Sequence, residues 1–181
     1  VWDQGVEDNG CYGEVFYHSP EPEFSGVCEG KVNDDAWPGE RGRPAVAVAP
    51  GGTVYVVWAD YGSTSLYLDR NQGNGWGEDR VVAGPVSASW PGVAVDSAGK
   101  IHVVWEDADD RYLYVSHSTD GGVSWSAPQR VYDDPGAWEQ TESALAVGPD
   151  DTAYVAWVQY AQDGRNVHLA RLPGGSGSWQ Y

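Results

Sequence analysis

The sequence predicts an all-β fold built from repeated four-stranded antiparallel units, on three observations. Gly (24) and Pro (11) punctuate the 181 residues every few positions, the apolar set is dominated by Val, Tyr and Trp with no Met, and one pattern of residues recurs about every fifty positions. Such a composition favours many short strands joined by tight turns. No window carries apolar residues at the i, i+3, i+4, i+7 spacing, so almost no helix is expected.

The repeat is carried by three segments that align without gaps. Pro44-Ala45-Val46-Ala47-Val48 leads to Tyr55-Val56-Val57-Trp58, Pro91-Gly92-Val93-Ala94-Val95 to His102-Val103-Val104-Trp105, and Ser143-Ala144-Leu145-Ala146-Val147 to Tyr154-Val155-Ala156-Trp157. Between the paired runs stand Ala49-Pro50-Gly51-Gly52, Asp96-Ser97-Ala98-Gly99 and Gly148-Pro149-Asp150-Asp151, the residue types of tight hairpins. A third strand follows at Ser65–Leu68, Tyr112–Val115 and Asn166–Leu169, and a fourth at Arg80–Val82 and Arg130–Tyr132. Four antiparallel strands per fifty-residue repeat make the blade of a β-propeller.

Alignment of the ends gives one propeller segment of about four repeats: residues 1–35 (strands two to four), 36–84, 85–134 and 135–181 (strands one to three). The expectation is a chain incomplete at both ends, because a ring leaves no open sheet edges. Further blades, or another copy of the chain, would supply what is missing.

Ser118-Thr119-Asp120-Gly121-Gly122-Val123-Ser124-Trp125 fits the pattern Ser-x-Asp-x-Gly-x-x-Trp and lies between predicted strands three and four. The chain thereby resembles the Asp-box (BNR repeat) propellers of the sialidase-like superfamily. Its turn chemistry assigns structural roles to Ser118, Asp120, Gly122 and Trp125: the carboxylate accepts backbone N–H groups, Gly takes a left-handed conformation, and Trp seals the hairpin. Asp69 to Trp76 is a decayed copy, with Asn71 standing in for the Asp, and Trp179 is the remnant in the last repeat. The resemblance implies fold, with the box away from the face that carries the active site in that family.

Connections between blades and the loops from strand two to strand three should emerge on one face. That face collects the candidate ligand-binding residues Trp37, Arg43, Trp90, Trp138, Glu106, Asp107 and Arg111, with Glu139, Glu142, Asp60, Tyr61 and Arg165 nearby. Indole faces beside carboxylates suit sugar rings, whose C–H faces stack and whose hydroxyls donate. The plainer alternative is that these Trp residues cap the blade ends. Trp2, Trp58, Trp105 and Trp157, which close second strands, and the box-position Trp76, Trp125 and Trp179 are assigned to packing.

A sialidase-like active site implies three arginines, a Tyr paired with a Glu, and an acidic Asp. Arg41, Arg43, Arg111 and Arg165 are candidates for the first requirement, whereas no Tyr/Glu pair matches residue by residue, so no catalytic residue is assigned. The sequence supports no metal site: four His are spread along the chain, and Glu106-Asp107-Ala108-Asp109-Asp110 offers oxygens to Ca²⁺ without a known calcium-loop spacing. No cofactor is expected beyond that Ca²⁺ option.

The formal charge of -17 (27 acidic against 10 basic residues) opposes binding to nucleic acid and anionic membrane surfaces, and no apolar run is long enough for membrane insertion. Cys11 and Cys28 flank one predicted strand and are read as a disulfide, the pairing expected of a secreted or cell-surface protein, with two reduced, partly buried thiols as the alternative. The function expected is noncatalytic binding of a glycan or protein partner through the inter-blade loop face. The alternatives are part of a sialidase-type exo-glycosidase, or a structural subunit assembling through open blade ends.

Overall fold

The computed structural model describes residues 2–4, 14–16, 31–34, 41–133, 136–162, 164–175 and 177–181, the first two segments by their backbone. Strand β1 (Trp2–Gln4) pairs antiparallel with β2 (Glu14–Phe16). Strands β3 (Arg41–Val48), β4 (Val54–Asp60), β5 (Ser65–Asn71) and β6 (Arg80–Ala83) form a four-stranded sheet in sequence order. The next sheet repeats that order with β7 (Ala88–Val95), β8 (Ile101–Asp107), β9 (Tyr112–Ser118) and β10 (Gln129–Arg130). A third sheet holds β11 (Ala137–Val147), β12 (Ala153–Ala161) and β13 (Gly164–Leu172), and Gln180 bridges antiparallel to Arg171 in the fourth-strand position. All pairings are antiparallel, and the only helical turn among the described residues is a 3₁₀ turn at Pro173–Gly175. The fold is an all-β propeller of four-stranded antiparallel blades.

Each first strand begins earlier than the repeat pattern predicts, at Arg41, Ala88 and Ala137 instead of Pro44, Pro91 and Ser143. The cause is a bulge in every one, between Gly42 and Ala45, Ser89 and Gly92, and Thr141 and Ala144. Pro44 and Pro91 fall inside the bulges, where no ladder N–H is required of them. A bulge breaks the two-residue alternation, which hides the leading residues from a periodicity reading.

First and second strands are joined by turns closed by Gly52 N–H to Ala49 O (2.9 Å), Gly99 N–H to Asp96 O (3.1 Å) and Asp151 N–H to Gly148 O (3.0 Å). The left-handed position of this turn holds Gly52 (φ 85°), Gly99 (φ 83°) and, in the last repeat, Asp151 (φ 59°). Asp151 reaches to the preceding blade, accepting hydrogen bonds from Ser97 N (2.7 Å) and Ser97 Oγ (2.7 Å). An unfavourable backbone is thus held by a bond that ties two blades together.

The core lies between successive sheets. Tyr55, Val57, Leu66 and Leu68 of one sheet pack with Val93, Ile101, Val103 and Trp105 of the next, and Val104, Leu113 and Val115 pack with Val155, Trp157 and Ala170. Trp58 and Val56 pack with Val32 on the other side of the first sheet. Trp58, Trp105 and Trp157 are fully buried. Each stacks on its cross-strand partner: Trp58 on Tyr67 (6.0 Å), Trp105 on Tyr114 (6.0 Å) and Trp157 on His168 (5.5 Å).

The turn at Ser118 to Trp125 is closed as its residue types require. Asp120 Oδ1 accepts from Val123 N (3.0 Å), Ser124 N (2.9 Å) and Ser118 Oγ (2.7 Å), and Asp120 Oδ2 accepts from Ser124 Oγ (2.6 Å). Ser118 Oγ in turn accepts from Gly122 N at 2.9 Å. These donors, led by Ser124, hold the Asp120 carboxyl well below the usual carboxylate range. Gly122 (φ 87°) lies against Leu68 of the preceding blade, where a Cβ would stand 3.0 Å from Leu68 Cδ2, and Trp125 packs onto the core between the two blades.

Truncating one of the sandwiched indoles should be costly. Trp105→Ala is expected to lose about 3–5 kcal/mol of unfolding free energy, whereas Trp138→Ala, whose indole is exposed, should change it by less than about 0.5 kcal/mol. Denaturant titration of the two variants checks this difference.

Candidate ligand-binding face

Antiparallel order sends the 2–3 loops and the blade-to-blade connections to one end of the sheets, and the hairpins and box turn to the other. At the first end the segments bond to each other. Val86 N donates to Thr64 O (2.8 Å), Ala108 N to Ser87 O (3.0 Å) and Gln140 N to Arg111 O (2.9 Å). The buried Gln140 also accepts from Leu113 N (3.2 Å) through Oε1 and donates to Tyr132 O (3.2 Å) through Nε2, fastening β11 to the preceding blade.

The first strands β3, β7 and β11 make the most extensive backbone approach between successive blades, so they line the centre. The bulge in each one carries a non-glycine residue in the left-handed region at the same repeat position: Arg43 (φ 56°), Trp90 (φ 47°) and Glu142 (φ 55°). Left-handed backbone is unfavourable for residues with a Cβ and is concentrated where a side chain must be aimed. Three blades thus present a guanidinium, an indole and a carboxylate from equivalent bulges. The Arg43 guanidinium lies over the Trp90 ring, Cζ 3.7 Å from its centroid, while Trp90 stays 40% exposed. Ser143 Oγ donates to Trp90 O at 3.2 Å, holding the indole's backbone to the next blade.

Glu106 sits beside this stack at the end of β8. Its side chain is buried and Oε2 accepts from Thr141 Oγ1 at 2.6 Å, a bond across the blade seam. Burial pushes the Glu106 carboxyl up from the usual value; the Thr141 bond opposes that, Glu139 adds to it, and Arg43 and Arg111 oppose it. A carboxyl group that is protonated more readily than usual therefore faces two arginines and a second carboxylate.

The remaining candidates take other places. Arg41 is buried in an ion pair with Asp60 (Nε to Oδ2, 3.4 Å), which removes it from the surface. Asp60 and Asp107 close their loops, Asp60 Oδ1 accepting from Gly62 N (2.9 Å) and Ser63 N (2.8 Å), and Asp107 Oδ1 from Asp109 N (3.0 Å). Arg111 (φ 65°) is exposed in its loop. Asp110 accepts from Tyr114 OH (2.6 Å) and Arg130 Nη2 (3.0 Å), so this carboxylate of the acidic loop is engaged internally. Burial and this carboxylate raise the Tyr114 phenol above its ordinary value, the opposite of what a nucleophilic Tyr needs. Trp138 is 63% exposed near the start of β11, and Arg165 lies over the Tyr160 ring (4.6 Å). Among the described residues, no three His, Cys, Asp or Glu side chains are grouped to hold a metal ion. Trp37, Cys11 and Cys28 lie outside the described residues. A shallow cavity of about 170 Å³ adjoins the face, lined by Asp60, Tyr61, Thr64, Val86, Ser89 and Ala108. Thr141 and the Arg41–Asp60 pair escaped the sequence reading. Their signal is positional, since Thr141 occupies the repeat position of Gly42 and Ser89 beside the bulge.

No known family profile matches the sequence, and no curated protein matches it. Solved structures do. The chain is similar to the Hadza microbial sialidase Hz136 at 17% identity and TM-score 0.62, covering 77% of this chain and 36% of that one. It is similar to a Penicillium chrysogenum α-L-arabinanase complexed with arabinobiose at 12% identity and TM-score 0.53 (76% of this chain, 47% of that one). A third likeness is to the polysaccharide lyase Uly1 at 10% identity and TM-score 0.58 (92% and 46%). The chain spans between a third and a half of the length of these structures. At such identities the likeness establishes the propeller fold that sialidases and arabinanases share.

Because folding makes Glu106 harder to ionise, its ionisation opposes folding as pH rises through the carboxylate range. Glu106→Gln is expected to melt at a higher temperature than the parent at pH 7, and the gap should close below the ordinary glutamate value of 4.5. Melting curves across pH 3.5 to 7.5 check the sign.

Proposed function

We propose that the chain is part of an extracellular propeller that binds carbohydrate on its inter-blade loop face. The observation that carries this reading is the Arg43–Trp90 stack beside buried Glu106. Three different blades converge there to offer guanidinium donors, a partly exposed indole and carboxylate acceptors at one end of the sheets. A sugar ring matches that mixture, because it places an apolar C–H face and both donating and accepting hydroxyls within a few ångströms. The Asp-box assignment of residues 118–125 belongs to the same reading and supplies architecture. The apolar face of the β11–β13 sheet, where Val167 is 80% and Leu169 60% exposed, is the seat of a further blade, from the same protein or from another copy. A secreted or cell-surface location follows from the proposed ligand.

A second reading has one observation in its favour: a buried carboxyl that protonates readily, as Glu106 does, is suited to donate a proton to a glycosidic oxygen. The chain would then be part of a sialidase-type exo-glycosidase.

The two readings separate experimentally. On a panel of immobilised sialylated and arabinose-containing oligosaccharides, Arg43→Ala and Trp90→Ala should each weaken retention about tenfold, equivalent to about 1.4 kcal/mol, without loss of fold. Retention unchanged in both variants contradicts the binding face. Turnover of a fluorogenic glycoside that vanishes in Glu106→Gln establishes the second reading in place of the first.

A further inference from the structure

A second recessed site lies at the opposite end of the sheets, in the turn between β5 and β6. A cavity of about 180 Å³ opens there beside Asp69, Arg70, Gln72, Asn74, Trp76 and Arg80. The same turn one blade later is bridged by its own side-chain hydrogen bonds, and the difference traces to two residues. In the later blade Ser116 occupies the position of Asp69 and Ser126 that of Gly77. Ser116 Oγ donates to Ser126 O (2.7 Å) and lies 3.2 Å from Ser126 Oγ, so the small hydroxyl is satisfied.

In the earlier blade the replacement carboxylate is only half satisfied. Asp69 is 1% exposed, and its Oδ1 accepts from Arg70 N (2.6 Å) and Gly77 N (3.1 Å), while its Oδ2 is enclosed without a hydrogen-bond partner among the described residues. Gly77 leaves room for it, since a Cβ there would stand 3.1 Å from Asp69 Oδ1. A buried carboxylate oxygen without a donor is costly, and native structures retain one where a ligand, ion or ordered water supplies the donor. Burial accordingly pushes the Asp69 carboxyl up.

The surroundings narrow the donor's chemistry. Arg70 and Arg80 oppose a bare cation, and Asp69 with Glu78 opposes an anion. Arg70 is held in place by its Nη1, which donates to Gly121 O across the blade seam at 3.0 Å. Half-buried Trp76 contributes an indole, and Gln72 and Asn74 contribute exposed amides that both donate and accept. The volume corresponds to about six water molecules, room for one small ring and not for a chain.

We infer that the cavity at the β5–β6 turn is a carbohydrate subsite that takes a single neutral sugar ring, its hydroxyls facing Asp69 and Arg70 and its C–H face on Trp76. This site is independent of the loop face, lying at the other end of the sheets and sharing no residue with it.

Isothermal titration of the protein with glucose, galactose and xylose tests the inference, run in a Trp90→Ala background so that the loop face is silent. One of these sugars should give saturable binding that Asp69→Ser, which installs the later blade's residue, weakens at least tenfold while the melting temperature is kept or raised. Saturable binding unchanged by Asp69→Ser overturns the site. So does the absence of saturable binding by all three sugars, which leaves ordered water as the donor to Asp69. If Asp69→Ser fails to fold, Gln72→Ala combined with Asn74→Ala on the exposed rim gives the same reading: at least tenfold weakening supports the subsite, and undiminished binding overturns it.

Discussion

The structure depends on one contact repeated three times: an indole at the end of the second strand, stacked on its cross-strand neighbour and buried against the preceding unit. Trp58 over Tyr67, Trp105 over Tyr114 and Trp157 over His168 are equivalent in register and in depth. Each fixes the distance and rotation between two sheets, because a large rigid ring in a close-packed interface tolerates little displacement. With the sheets so placed, residues from different blades meet at their ends. Glu106 reaches Thr141, and Arg43 reaches Trp90, because the indoles below them hold neighbouring first strands together.

Fixed sheets alone do not aim side chains. That task falls to the bulges, where Arg43, Trp90 and Glu142 accept left-handed backbone at one repeat position. The cost recurs at the same position in three blades of different local sequence, while the Asp151 strain is offset by a specific bond to Ser97. The two ends of the propeller therefore differ in kind. One end is closed by turn chemistry that satisfies nearly every donor, as Asp120 does, and the other carries charge and aromatic surface. The Asp69 cavity is the exception at the closed end, and it arises where the box has decayed.

Much of the architecture was legible because period and turn chemistry are local. The ten-residue interval from Val48 to Trp58, repeated at Val95 and Val147, located three hairpins, and the Ser118–Trp125 motif located a fourth-strand turn. The lengths of the first strands were not legible, because a bulge erases the alternation that a periodicity argument needs. Among site residues, Arg43, Trp90, Glu106 and Arg111 could be nominated from their places in loops and connections. Arg41 was nominated on the same ground, yet its side chain is consumed by Asp60, a pairing set by the register that places the two opposite each other on β3 and β4. The same limit applies to Asn71, read as the decayed box's acid: its Oδ1 caps Gly73 N (2.8 Å), but buried Asp69 bridges the turn to Gly77.

In the proposed function the loop face is the end that receives ligand while the stacked indoles remain a rigid frame. The most direct measurement is the ¹H–¹⁵N spectrum of the indole N–H groups as an oligosaccharide retained by the protein is added. The Trp90 signal is expected to move and saturate while those of Trp58, Trp105 and Trp157 stay in place. A stationary Trp90 signal at saturating ligand, or displacement of the three buried indoles in its stead, contradicts the proposed function.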